Sequence, residues 1–158
     1  MIKTLDDIRD IFNILHDGDI IDYEEKEKDL KLRVKISYLT ERVREGYSYF
    51  TVTLFNYIKI QLETWPNQKG HEPEFYRDLN QIFQANLWIL DAEIKEKSIV
   101  VSCSQADTAF DYCGGYLAFT SESAKVEDEA GKEYTIEELG NLSEAYWEEW
   151  ENNNKNKI

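Results

Sequence analysis

Alternation of apolar and polar side chains is cleanest over residues 49–65, YFTVTLFNYIKIQLETW. Phe50, Val52, Leu54, Ile58, Ile60 and Leu62 fall on even positions, and Thr51, Thr53, Tyr57, Lys59, Gln61 and Glu63 on odd ones. A period of two over this length predicts a strand with one buried and one wet face. Asn56 interrupts the apolar set. A two-residue hairpin at Asn56 would reverse the parity, and the parity does not reverse. The expectation is one long strand bent near Asn56, with a hairpin built on a longer or odd-length loop as the alternative.

The same reading places elements on both sides of this run. Leu5, Ile8, Ile11, Phe12 and Leu15 have helical spacing and predict a helix over 4–15, with Thr4 and Asp7 as its N-terminal cap and Gly18 as a left-handed C-terminal cap. Residues 20–26 and 29–38 read as a hairpin, and 40–46 as a charged connection. Pro66 ends the long strand because proline has no N–H for a ladder. Phe75, Leu79, Ile82 and Phe83 predict a second helix over 73–84, opened by Pro73. Residues 87–95 and 98–104 read as a hairpin through Glu96 and Lys97. Trp88, Leu90, Ala92 and Ile94 share one face of its first strand, and Ile99, Val101 and Cys103 one face of its second. Gly114 and Gly115 open a strand that runs to Ser121 and suggest a bulge or a close backbone approach. A turn at Ala130 and Gly131 precedes a last helix over 135–151. Thr135 and Glu138 form its capping box, and Ile136, Leu139, Leu142, Tyr146 and Trp150 its stripe. Trp150 is expected to dock on the sheet and anchor the helix end.

These elements make an α+β fold, a mostly antiparallel sheet of about six to eight strands (meander or sandwich-like) covered by N-terminal, middle and C-terminal helices. With 158 residues the chain is expected to form a single domain over 1–151, followed by a frayed polar tail over 152–158. Hydrophobic residues make up 42% and aromatics 13%, enough for a real core. The opening MIKTLDDIRD lacks the apolar centre of a signal peptide, and no apolar run is long enough for a membrane-spanning helix. A cytoplasmic protein away from the membrane is the expectation. Cys103 and Cys113 are the only cysteines, too few for a disulfide framework, and both are expected to be reduced and at least partly buried.

Charge narrows the partners. The formal net charge is −14, and residues 121–151 hold eleven Asp and Glu against two Lys. Nucleic acid needs a basic footprint and is disfavoured. A basic protein partner is permitted, although a solvated acidic face is the more ordinary reading of such a run.

Candidate chemistry is sparse. His16, Asp17 and Asp19, with His71, are possible ligands for a divalent metal in a hydrolase. Two histidines make a multi-histidine site improbable, and helix-end capping accounts for 16–19 without a metal. No nucleophile elbow, phosphate-binding glycine loop or paired-cysteine motif is present, so no cofactor is expected. The best recognition candidate is the loop-rich stretch containing Asp107, Asp111, Tyr112 and Tyr116, where tyrosines stand beside carboxylates. A small-molecule pocket in the sheet is a further alternative, suggested only by the aromatic excess.

The runs LHDGDIIDYEEKEKDLKLRVKI, FTVTLFNYIKIQLETW, YCGGYLAF and YWEEW resemble, in layout, small β-rich bacterial proteins of unknown function in which an HDG-type turn opens a meandering sheet. Several such families resemble the immunity proteins of polymorphic toxin systems. That resemblance implies a short, acidic, cytosolic, catalytically inert protein that binds a toxin. It carries over no functional residue.

Overall fold

The first helix forms where its cap is. In the computed structural model, which describes residues 1–155, α1 (Leu5–Ile14) starts with Thr4 Oγ1 accepting from Asp7 N at 3.1 Å. Ile8, Ile11 and Phe12 face the core. At its far end the left-handed residue is Asp17 (φ 67°), not the expected Gly18. Gly18 is needed for space instead: a Cβ there would lie 2.7 Å from Val34 Cγ1 and 2.8 Å from the Leu15 carbonyl oxygen.

Among the described residues, ten strands form one antiparallel sheet in the order β10-β9-β3-β2-β1-β6-β7-β8-β4-β5, and it is not closed. Chain order gives β1 (Asp19–Lys26), β2 (Asp29–Lys35), β3 (Tyr49–Phe55), β4 (Ile58–Pro66), β5 (Phe75–Tyr76), β6 (Leu87–Lys95), β7 (Ser98–Ser104), β8 (Tyr112–Thr120), β9 (Ser123–Glu127) and β10 (Glu133–Tyr134). The count exceeds the expected six to eight because β5 and β10 are two-residue pieces and β9 follows β8 after a short break.

The run at 49–66 is not a hairpin, since β3 and β4 do not pair with each other. They lie in line, broken at Asn56 (φ 50°) and Tyr57, and β9 with β8 runs alongside them across the break. Phe55 faces Ser123 on one side of the break and Ile58 faces Thr120 on the other. This bent ribbon carries the chain from one half of the sheet to the other. Phe50, Val52, Leu54, Ile60, Leu62 and Thr64 are buried, so even-numbered parity survives the bend. Ile58, at the bend itself, is exposed.

The two halves meet again where β1 pairs with β6, at Asp19 opposite Trp88 and Ile20 opposite Leu87. Before that junction the chain still follows the edge of β6. Asp17 N donates to the Ile89 oxygen and Ile89 N to the Gly18 oxygen, both at 2.8 Å. Asn13 then mimics a strand residue: its Nδ2 donates to the Ala92 oxygen at 3.0 Å and its Oδ1 accepts from Ala92 N at 2.8 Å. An open edge is thereby satisfied by a helix side chain. Apolar residues from both halves and from α1 belong to one continuous core.

Several expectations are corrected. The second strand stops at Lys35, and Ser37–Thr40 form a one-turn helix, α2. Residues 73–84 do not form a helix. Thr64 N donates to the Glu74 oxygen and Thr64 Oγ1 accepts from Glu74 N, both at 2.9 Å, which holds the segment extended against β4. Only one turn, α3 (Leu79–Ile82), remains, capped by Asp78. On β6 a register shift between Ile89 and Asp91 moves Trp88 and Leu90 to the outside, while Leu87, Ile89 and Ala92 face the core. Cys113 is exposed, whereas Cys103 is buried, and both are free. The last helix, α4 (Ile136–Lys155), has its capping box: Thr135 N donates to Glu138 Oε1 at 3.0 Å and Glu138 N to Thr135 Oγ1 at 3.1 Å. It continues four residues beyond Glu151, so the start of the expected tail is helical; 156–158 lie outside the described residues. Trp150 does not dock, being 51% exposed.

Candidate functional site

The most distinctive surface lies at the β1–β6 junction. After Ile20 the ladder of β1 on β2 shifts register, and β6 shifts after Ile89. Trp88 and Leu90 are left on the outer face, each 43% exposed. They line a cleft of about 510 Å³ together with Asp19, Gln84, Asn86, Gln105 and Asp107.

Each wall is held in place. Trp88 Nε1 donates to Asp17 Oδ1 at 3.3 Å, which orients the indole. Burial pushes the Asp19 carboxyl above its ordinary range, although a hydrogen bond from Asn86 and the charge of Lys35 pull the other way. Gln105 is buried. Its Nε2 donates to the Tyr112 oxygen at 2.7 Å and to the Asp107 oxygen at 3.1 Å, and its Oε1 accepts from Asp107 N. Asp107 Oδ1 in turn accepts from Ala109 N at 2.9 Å. The loop that presents Asp107 is therefore tied to the sheet rather than free.

The recognition residues expected from the sequence do not form one surface. Asp107 is in the cleft. Asp111 is exposed, in a separate hollow of about 220 Å³ shared with His71 and Tyr112. Tyr112 is buried, its hydroxyl accepting from Gln84 Nε2 at 3.2 Å, and burial raises its pKa. Tyr116 points outward, edge-on to Trp65 with ring centroids 5.1 Å apart and with Lys95 Nζ 5.8 Å from its centroid. Parity changes between the two tyrosines at Gly114 and Gly115, where backbones touch: a Cβ on Gly114 would lie 2.2 Å from the Cys103 oxygen. That is the close approach the paired glycines suggested.

The candidate metal ligands are also separated. The His16 ring stacks on Trp147 at 5.4 Å, and its Nδ1 donates to the Asn13 oxygen at 2.7 Å. His71 lies in the loop after β4, Asp17 bonds Trp88, and Asp19 faces the cleft. Among the described residues no three His, Cys, Asp or Glu side chains gather as a metal site.

A larger hollow of about 750 Å³ lies beside β1 at residues 22–25, beyond its short pairing with β6. Its tyrosines are already committed, Tyr57 to Glu25 and Tyr23 to Asn80, and Arg77 stands among its carboxylates. The cleft at Trp88 differs in offering an exposed aromatic surface beside two carboxylates.

The sequence did carry a signal for this site. Leu87, Trp88, Ile89 and Leu90 are four consecutive apolar residues, which strict alternation cannot bury. No family model, curated protein or solved structure matches the chain. Among the described residues no helix is long and apolar enough to cross a membrane.

Proposed function

We propose that this protein is a non-catalytic, cytoplasmic binding protein for a basic protein partner, in the manner of an immunity protein that neutralises a basic toxin. The observation that carries the reading is the cleft that sets exposed Trp88 beside Asp19 and Asp107 on a chain of net charge −14. The overall charge draws a basic partner in and makes association fall with salt. Trp88 and Leu90 supply apolar contact at the point of capture, where aromatic residues contribute most to affinity.

The metal-hydrolase alternative loses its geometry, because His16 and His71 belong to different surroundings. The test is affinity capture from the source cell with wild type and Trp88→Ala. Wild type should retain a basic protein that about 0.5 M salt releases, and the variant should not. Capture of only acidic or uncharged proteins ends the reading, and equal capture by the variant removes Trp88 from the contact surface.

A further inference from the structure

We infer that the cleft between β1 and β6 is a receptor for one arginine side chain presented by the partner. This rests on the reading above and names the group that the site takes. The occupant must match a partly apolar wall, an aromatic surface and two carboxylates. Trp88 and Leu90 give the wall, and Asp19 and Asp107 the charge.

A cation over an indole is attracted by the negative face of the ring, and tryptophan is the best of the aromatic hosts. The carboxylate of Asp17 accepts the indole N–H at 3.3 Å, which fixes the ring and adds to its electron density. A guanidinium suits such a place better than an ammonium. It is flat, so it stacks; it is weakly hydrated, so it enters a half-buried cleft at lower cost; and its fork of donors can serve two carboxylates at once. A lysine ammonium is a strongly hydrated point charge and uses only part of the wall.

Neutral side chains complete the cleft. Gln84 is engaged with the Tyr112 hydroxyl and Gln105 with the backbone of 107 and 112. Those bonds make the site rigid, so little ordering is needed on binding. Lys35, which acts on Asp19, leaves the site less negative than its two carboxylates alone.

The test uses the full chain and small probes. Nα-acetyl-arginine-N-methylamide is titrated at low salt while the Trp88 indole N–H is followed by NMR. The lysine counterpart, the uncharged citrulline counterpart and free arginine serve as comparisons. The blocked arginine should shift the Trp88 signal with saturation, about tenfold more tightly than the lysine probe, and citrulline should show no saturable shift. Asp107→Asn should weaken the arginine probe about tenfold. Trp88→Phe, which keeps a ring but not the indole N–H, should retain weakened binding, read from the backbone amide signals of residues 86–90 and 105–107, and an otherwise unchanged amide spectrum confirms its fold.

Equal binding of lysine and arginine, saturable binding of citrulline, or no shift at Trp88 overturns the inference. Tighter binding of free arginine than of the blocked form also overturns it, since the site would then serve a metabolite. A basic partner held equally well by Trp88→Ala sinks this assignment together with the placement of the surface, but not the basic partner itself. Arginine binding in the cleft without any basic protein partner would leave the preference standing and remove the function proposed above.

Discussion

Residues 121–151 and the cleft at Trp88 are both acidic, and their carboxylates have opposite employment. In the first region most are engaged within the fold. Asp128 accepts from Ala130 N, Lys132 N and Tyr134 Oη at 2.9, 3.0 and 2.8 Å. Glu129 receives Ser48 N and Tyr49 N, and Glu138 caps α4 while pairing with Lys132 at 3.4 Å. Glu122 accepts from Asn56 Nδ2 at 2.6 Å, steadying the bend between β3 and β4. Glu127 pairs with Lys125 at 3.1 Å, and Glu149 with Arg42. In the cleft, Asp19 and Asp107 bond only neutral groups and face open volume. The densest negative charge in the sequence therefore marks architecture. The sparser carboxylates, set against an exposed indole, mark the candidate site.

The largest effect should come from the first region. Asp128→Ala removes a buried acceptor of three donors at the foot of an exposed turn and should cost about 3 kcal/mol in a chemical-denaturation midpoint, with cleft binding unchanged in the folded fraction. A cost near zero, or a loss of binding at equal stability, would blur the division drawn here. The pH dependence has a definite sign. Burial pushes the Asp128 carboxyl up, but bonds from Tyr134, Lys132 and Ala130, with the Lys132 charge, outweigh it and hold the pKa below the ordinary value. Its contribution is thus present above about pH 4 and lost as the pH falls through the lower folded value. Asp128→Asn should flatten that part of the acid-denaturation curve.

The second prediction turns to the cleft. Asp19→Asn and Asp107→Asn should each weaken binding of a basic partner about tenfold. Stability should change by about 0.5 kcal/mol or less. For Asp19 the sign is the reverse of Asp128. Its folded pKa is raised, so the associated stability is present below about pH 4 and lost as the pH rises through the elevated value. At neutral pH Asp19→Asn should therefore be neutral to slightly stabilising, while affinity drops. A clear loss of stability would show that Asp19 holds the β1–β6 junction rather than a partner.

Third comes a control on charge alone. The triple variant Glu137→Gln, Glu144→Gln, Glu148→Gln removes three carboxylates from α4 and takes the net charge from −14 to −11. Association should slow by about threefold or less at low salt and match wild type at high salt. Stopped-flow association rates check this. A loss as large as that from Asp107→Asn would make the acidic run itself the binding surface.

Much of this fold was legible, and the illegible parts have identifiable causes. The caps at Thr4 and Thr135 were readable because capping is local. Parity carried the 49–66 ribbon through its bend because a bend, unlike a hairpin, leaves the period intact. The predicted helix at 73–84 failed because Thr64, ten residues earlier, binds the backbone of Glu74, and no local pattern records a pairing of that kind. The face of β6 was misassigned because one extra residue in a strand inverts every side chain beyond it. That same inversion created the candidate site. Asp107 stands out in the sequence as a loop carboxylate among aromatics, but Trp88 reads only as sharing a face with Leu90, Ala92 and Ile94, and the pairing of the two needed the fold.

The smallest effect expected is at Trp150, and it tests the comparison from outside. A fully buried ring at this position would cost roughly 3–5 kcal/mol on truncation to alanine. The ring is instead 51% exposed and touches mainly Trp147, at 5.8 Å between centroids. Trp147 does the docking in its place. It stacks on His16 and lies edge-on to Tyr38 and Tyr146 at 6.0 and 5.0 Å, and Leu139 is the one residue of α4 that is fully buried. Trp150→Ala should therefore change the thermal midpoint little, equivalent to about 0.5 kcal/mol, and should leave capture of a basic partner as in wild type. Trp88 and Trp150 are comparably exposed and both stand near carboxylates, but Glu149 beside Trp150 is paired with Arg42, whereas Asp19 and Asp107 make no salt bridge among the described residues. Thermal melts run beside a binding assay decide the matter. If Trp150→Ala leaves stability intact but abolishes capture, while Trp88→Ala leaves capture intact, recognition belongs to the aromatic end of α4, and the cleft is a feature of the sheet junction only.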